Sequence, residues 1–283
     1  VTSDDYQQNF AEMQELWDEV AEQMASVPTI GGQRYVDRHR SRGKMLVRER
    51  VEALIDPNTA LLELSPLAGW GTQDPIGVGT FNGIGVIEGV ECGIVGSDMT
   101  VRGGAGNPTT WNKQKRFFEI VRENRLPLIL LNESAGADLP RQADIFVYGG
   151  QQFRDITQLS KMGIPSICIA FGPNTAGGAY IPGMSDYTVF VKERGTAYLG
   201  GPPLVKMAIN EDVDEETLGG AEMHSRTSGL SDYLAKVWAS KSYKKLKSSG
   251  KKVMKNLPLG LHISRTLKDG LKSAVMPGNL FED

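Results

Sequence analysis

The chain is 283 residues long, 40% hydrophobic and 23% charged, the composition of an ordinary soluble globular protein. Its formal charge of −3 calls for neither nucleic acid nor an anionic membrane as partner, and no apolar run reaches bilayer-spanning length. Length allows one large α/β domain or one domain with appendages, and no signal-peptide pattern opens the sequence.

The first segment reads as a helix: Phe10, Met13, Leu16, Trp17, Val20 and Met24 recur at helical spacing, with acids and glutamines between them. Gly31-Gly32 breaks it. A basic stretch follows, from Arg34 through Arg42, Lys44 and Arg48 to Arg50, with Leu46, Val47, Val51 and Leu54 as a helical apolar stripe that Asp56-Pro57 closes. From Leu61 the period changes. Leu61–Leu64, Gly79–Ile87 and Val90–Val95 are short strands punctuated by glycine, a meander. Trp111–Asn124 is then helical, with Phe117, Phe118, Ile120 and Val121 on its apolar side. Cys92 and Cys168 lie in apolar, strand-like runs and read as buried thiols rather than as a disulfide or a metal pair.

Two similar βα units come next. Pro127–Asn132 is a buried-type strand that ends in Glu133-Ser134-Ala135-Gly136-Ala137, before a helix reaching about Lys161. Pro165–Phe171 is the next, ending in Gly172-Pro173-Asn174-Thr175-Ala176-Gly177-Gly178-Ala179-Tyr180. Crossovers of this length imply parallel strands with right-handed connections. Tyr187–Val191 and Thr196–Leu199 extend the sheet, and Gly200-Gly201-Pro202-Pro203 opens a further helix. Ligands of open α/β sheets bind where such strand ends line one edge.

The two glycine turns carry the chemistry. A peptide N–H stabilises a developing oxyanion only if the backbone comes close, and a Cβ obstructs that approach. A glycine pair between a strand end and a helix start leaves unpaired amides with the positive helix end behind them. Polarising a thioester carbonyl toward an enolate needs this arrangement. One such turn is weak evidence, but two at matching positions place two amide clusters near one crevice.

The motifs Asn132–Ala137, Thr175–Tyr187, Leu199–Lys206 and Leu218–Gly229, with Arg42-Gly43-Lys44-Met45 and Arg48-Glu49-Arg50, together resemble the β subunits of biotin-dependent acyl-CoA carboxylases. These are the carboxyltransferases of the propionyl-, acetyl- and methylcrotonyl-CoA group. The resemblance runs from about residue 10 to 235. It implies an α/β fold of the crotonase-like (ClpP/crotonase) type, a superhelix of ββα units. It also implies transfer of a carboxyl group from carboxybiotin to the α-carbon, or vinylogous carbon, of a short acyl-CoA. No protein nucleophile and no metal is expected; biotin freed of CO2 takes the α-proton, and backbone amides stabilise the two enolates. Carried over residue by residue, Gly177 and Gly178, with Ala179 beside them, supply the thioester oxyanion hole. Ser134, Ala135, Gly136 and Ala137 shape the acyl-CoA crevice, with Tyr180 next to the turn. Arg42, Lys44 and Arg48 are candidates for the CoA phosphates, against the plainer reading of a solvated helix face. Gly103 and Gly104 either approach CoA or form a tight turn. His224 reads as a hydrogen-bonded structural histidine beside Glu222 and Arg226, and Asp186 as support for the oxyanion turn. The implied partners are the acyl-CoA substrate, a biotin carboxylase or biotin carrier subunit, and further copies of the chain. The expected compartment is the cytoplasm, or the mitochondrial matrix in a eukaryote.

Subunits of this family contain two crotonase-like domains, of which this sequence carries the first; no second set of Gly-Gly-Ala turns follows Gly220. The expected division is an N-terminal helix over residues 1–30, the acyl-CoA domain over 31–232, and a basic extension foreign to the family over 233–283. Lys236–Lys255 alone holds eight lysines. Leu230–Trp238, Ser248–Val253 and Pro277–Asp283 resemble a stretch of deoxyxylulose phosphate synthase without its diphosphate-binding signature, which suggests a join between two sequences near Leu230–Ala235. The alternatives to a carboxyltransferase component are a non-catalytic acyl-CoA-binding fragment and a crotonase-like hydrolase, isomerase or decarboxylase acting within one domain.

Overall fold

The structure is a computed structural model, and it describes residues 3–136 and 138–235. Helix α1 (Asp4–Ser26) begins where the Ser3 hydroxyl accepts the Tyr6 amide, which satisfies one of the first-turn donors. The basic stretch forms two helices, α2 (Gln33–Ser41) and α3 (Val47–Leu54). Gly43, at φ 66, turns the chain between them. At the start of α3 the Glu49 carboxylate accepts the Leu46 amide at 2.7 Å.

Strands β1 (Leu61–Glu63), β2 (Thr80–Ile87) and β3 (Val90–Ser97) form the antiparallel meander that the glycine punctuation predicts. Helix α4 (Pro108–Glu123) starts on an Asn107 cap with proline in its first turn, the position where a missing N–H costs nothing. It leads to β4 (Leu128–Ser134), α5 (Gln142–Lys161) and β5 (Ser166–Thr175). The short helix α6 (Tyr180–Met184) precedes β6 (Tyr187–Val191) and β7 (Thr196–Tyr198). Helices α7 (Pro202–Ile209), α8 (Glu215–Gly219) and α9 (Ala221–Met223) separate these from β8 (Tyr233–Ala235).

The sheet runs β1-β2-β3-β4-β5-β6-β8, parallel from β3 onward. Strand β5 is longer than its apolar run predicts. Its first half pairs with β4 and β6, while Pro173–Thr175 continue past the glycine and pair with β7. The Asn174 amide secures this extension by donating to the carbonyls of Gly172 and Thr196, both at 2.9 Å. The sheet also extends past residue 232: β8 pairs with β6, and Ala235 is fully buried in the core. The rest of the proposed C-terminal extension, 236–283, lies outside the described residues.

Successive side chains of β4 point to opposite faces. Ile129 and Leu131 pack with Val47, Val51 and Leu54 of α3, whereas Leu128 and Leu130 pack with Phe117, Phe118 and Val121 of α4 and Ile156 and Leu159 of α5. All four residues of Leu128–Leu131 are essentially inaccessible. At about 1.5–3 kcal/mol each, they make β4 the structural spine of the molecule. The same alternation decides where the polar end of β4 sends its groups.

Candidate active site

Past Leu131 the β4 residues turn polar without losing their alternation. Asn132 and Ser134 face the α4/α5 side, and Glu133 faces the α3 side, where it is completely buried. The Glu133 carboxylate holds an ion pair with the Lys44 ammonium and another with the Arg50 guanidinium, the latter at 2.8 Å. Arg50 in turn lies over the Phe171 ring, 4.5 Å from its centroid. Burial alone would raise the Glu133 carboxyl pKa, but the two cations outweigh it and hold the group below its ordinary range. This cluster ties the loop between α2 and α3 to the end of β4. The paired carboxylate was invisible in the sequence except as an acid set in an apolar strand.

On the other face lies a crevice of about 620 Å³. Gly104, Ser134, Ala135, Gly136, Gly177 and Gly178 all line it, so the two glycine turns and the turn after β3 meet there. Ser134 organises its own turn: its hydroxyl donates to the Gly104 carbonyl at 3.2 Å and accepts the Gly136 amide at 3.0 Å. Gly136 sits at φ 99, in the half of backbone space that glycine enters without a Cβ penalty. The Ala135 amide donates to the Gly103 carbonyl at 3.0 Å. Arg102, Gly103 and Gly104 have φ values of 48, 64 and 71, a tight left-handed turn in which Gly103 holds Ala135 while Gly104 lines the crevice.

The second turn is one 3-10 turn, Ala176–Ala179, entered through Ala176 at φ 53. Two bonds orient its peptides. The Tyr180 amide donates to the Gly177 carbonyl, and the Asn132 side-chain amide donates to the Gly178 carbonyl at 3.1 Å. In a trans peptide the C=O and the following N–H point in opposite directions. The Gly178 N–H is therefore directed back toward the start of the turn, and the Ala179 N–H away from Asn132. A 3-10 turn bonds each N–H to the carbonyl three residues back, so the later amides of this one are engaged within it and the donors without an intrahelical partner are those at its start. A Cβ on Gly178 would stand 3.3 Å from the Ser134 Cβ, and one on Gly177 would stand 3.5 Å from the Phe153 ring. Gly178 thus brings the second turn against Ser134 of the first, with room for little more than a hydrogen.

The remaining expected site residues are placed as follows. Tyr180 is half exposed and packs edge-on against Phe153, at 5.6 Å between centroids. Ala179 follows the lining glycines in the same turn. Ala137 lies outside the described residues. Lys44 is engaged with Glu133 on the opposite face of the sheet from the crevice, and Arg42 is exposed at the end of α2. His224 is buried, with its Nε2 donating to the Ala197 carbonyl at 2.9 Å and its Nδ1 2.7 Å from the Ser228 hydroxyl. It is structural, as expected, though its partners are not the flanking Glu222 and Arg226. Asp186 accepts both the amide and the hydroxyl of Ser166, which ties the end of the Thr175–Tyr187 segment to the start of β5. Cys92 and Cys168 are both free and buried, and burial pushes the Cys92 thiol up to about 12.

Among the lining residues not singled out for the site in the sequence are Asn132, Phe153, Trp111 and Gln114. Trp111 and Gln114 lie on α4, and nothing local in the sequence marks either for the crevice. The signal for Phe153 was a single ring next to Gly149-Gly150, in a helix stretch otherwise rich in polar residues.

Comparison with known proteins bears on this geometry directly. A model of the carboxyl transferase domain family matches residues 38–258. The chain is 54% identical over 230 residues to a Mycobacterium tuberculosis protein named "Probable biotin-dependent acyl-coenzyme A carboxylase beta2 subunit", covering 81% of this chain and 44% of that one. It is 46% identical over 240 residues to the mitochondrial methylcrotonoyl-CoA carboxylase beta chain of Dictyostelium discoideum, covering 83% and 41%. Among solved structures, the beta subunit of P. aeruginosa geranyl-CoA carboxylase superposes with a TM-score of 0.71 at 35% identity, over 89% of this chain and 48% of that one. The transcarboxylase 12S structure with methylmalonyl-coenzyme A bound gives a TM-score of 0.76 at 28% identity, over 87% and 48%. The chain spans about half the length of the relatives it matches. The fold is crotonase-like, as in those structures, and the chain belongs to the carboxyl transferase domain family.

Proposed function

We propose that this chain is the acyl-CoA-binding half of a carboxyltransferase, the component that presents a short acyl thioester for carboxylation in a biotin-dependent acyl-CoA carboxylase. The observation that carries the reading is the Asn132 hydrogen bond to the Gly178 carbonyl. It fixes the peptide orientation of an exposed glycine turn across a crevice lined by a second glycine turn.

In this reading Gly177, Gly178 and Ala179 supply the amides that receive the thioester oxygen as it gains charge. Ser134, Ala135 and Gly136, with Gly104 beside them, form the opposite wall; Gly103 holds Ala135 from behind, and Tyr180 packs against the lining Phe153. The crevice has room for the thin thioester and pantetheine part of an acyl-CoA, and a Cβ on either central glycine would narrow it. Carboxybiotin, delivered by a separate carrier, supplies the carboxyl group when bound. The residues described here hold and polarise the thioester and exclude bulk water from it. Arg42, exposed near the loop between α2 and α3, is the candidate for a CoA phosphate. Lys44 serves that loop by anchoring it to Glu133. The biotin-side half of the site, a biotin carrier or carboxylase subunit and further copies of the chain complete the working assembly, in the cytoplasm or the mitochondrial matrix. Among the described residues, no helix is long and apolar enough to cross a membrane.

The test is reconstitution. The purified chain should bind acetyl-, propionyl- or methylcrotonyl-CoA, and it should support carboxyl transfer only when the missing half is supplied. Binding without any transfer in a complete assembly would instead favour a non-catalytic acyl-CoA-binding chain. Turnover of an acyl-CoA by the chain alone would favour a one-domain hydrolase or decarboxylase.

A further inference from the structure

Helix α1 has no buried residue among its 23. Its large apolar side chains face solvent: Trp17 is 67% exposed, Met13 66% and Phe10 56%, and Tyr6 and Met24 are exposed as well. Their spacing is more regular than an ordinary amphipathic helix requires. Tyr6, Phe10, Met13, Trp17, Val20 and Met24 alternate by four and three residues, the a/d seam of a coiled coil sustained from one end of the helix to the other. With Phe10, Trp17 and Met24 at a positions, and Tyr6, Met13 and Val20 at d positions, every acid of the helix falls at b, c or f. These are Asp4, Asp5, Glu12, Glu15, Asp18, Glu19 and Glu22. The flanking e and g positions hold Gln7, Asn9, Gln14, Leu16, Ala21 and Gln23, none of them charged.

From this pattern we infer that α1 pairs with α1 of a second copy of the chain as an antiparallel coiled coil. Charge selects the occupant. A helix with seven acids and no base would repel its twin if those acids flanked the seam, but they face away from it. A basic partner would find nothing at e and g to pair with. Size selects the direction. In a parallel pair each layer sets a residue against itself, so Trp17 meets Trp17 and Val20 meets Val20. Run antiparallel about Glu15, the layers become Tyr6 on Met24, Phe10 on Val20 and Met13 on Trp17. Each layer then combines one aromatic and one aliphatic side chain, and the two-fold axis repeats all three. The inference is independent of the carboxyltransferase reading.

Crosslinking of the full chain distinguishes the arrangements. The double variant Phe10→Cys/Val20→Cys should form a disulfide-linked dimer on mild oxidation. Neither single variant should do so, and the two positions on one helix are about 15 Å apart, beyond disulfide reach. The native thiols are buried and do not compete. Adding Trp17→Glu to the double variant should cut the crosslinked fraction at least tenfold while leaving the circular dichroism of the chain unchanged. Crosslinking of either single variant would overturn the antiparallel pairing. Absence of crosslinking in the double variant, or crosslinking that survives Trp17→Glu, would overturn pairing through this seam and assign the face to another occupant.

Discussion

The two faces of β4 divide the labour of the molecule in a way that runs against first expectation. On the α3 face a fully buried carboxylate is held by two cations. On the α4/α5 face the crevice offers backbone amides, an asparagine, a serine and glycines, with no charged side chain among the described residues that line it. Adjacent residues of one strand supply both. The charged cluster fixes the backbone and the uncharged turns are left to meet the ligand, so a search for perturbed titration alone would pick the wrong face of the sheet.

If that division is right, the largest stability effect belongs to Glu133. Glu133→Gln leaves the buried Arg50 and the partly buried Lys44 without a counter-charge and should cost about 3–5 kcal/mol in denaturant unfolding; a loss under about 1 kcal/mol would deny the cluster its role. The sign of the pH dependence follows from its depressed pKa. The contribution is fully present above the ordinary carboxyl value of 4.5 and is lost as pH falls through the lower folded value. The acid limb of the stability profile should therefore flatten in Glu133→Gln.

Lys113 gives the opposite limb. It is buried, donates to the Thr80 carbonyl at 2.8 Å, and burial lowers its pKa from 10.5 to about 8. Between those values the unfolded chain binds the extra proton, so stability should rise with pH, by at most about 3 kcal/mol. A Lys113→Met variant should lose that rise. Gly172→Ala comes next. Its Cβ would fall 2.3 Å from the Glu133 carboxylate, and strain of about 1–3 kcal/mol should appear in the same unfolding assay. The smallest effects sharpen the contrast between two basic residues that the sequence treated alike. Lys44→Ala should lower stability, whereas Arg42→Ala should leave it within about 0.5 kcal/mol and act, if anywhere, on acyl-CoA affinity.

Much of the fold was legible because hydrophobic period and glycine punctuation agree across β1–β6. The strand-end turns could be read because glycine pairs at matching offsets have a specific physical use. What the sequence concealed depends on distance in three dimensions. Nothing local says that Glu133 finds Lys44 and Arg50 some 80 to 90 positions away, or that Asn132 reaches the Gly178 carbonyl. The continuation of β5 through Pro173 was hidden because proline and glycine signal a break, and the Asn174 side chain supplies the bonds that override it. Helix α1 was legible as a helix, but its exposure was not, since a core-facing stripe and an intermolecular seam look alike over three heptads.

The most direct measurement is carboxyl transfer by Gly178→Val in an assembly that supplies the biotin-side half. A side chain there meets Ser134 and closes the approach to the amides. If the turn stabilises the thioester enolate, kcat should fall by about 10²-fold or more, with the unfolding midpoint little changed. Carboxyl transfer within a few-fold of the unmodified chain would contradict the account and remove this turn from the mechanism.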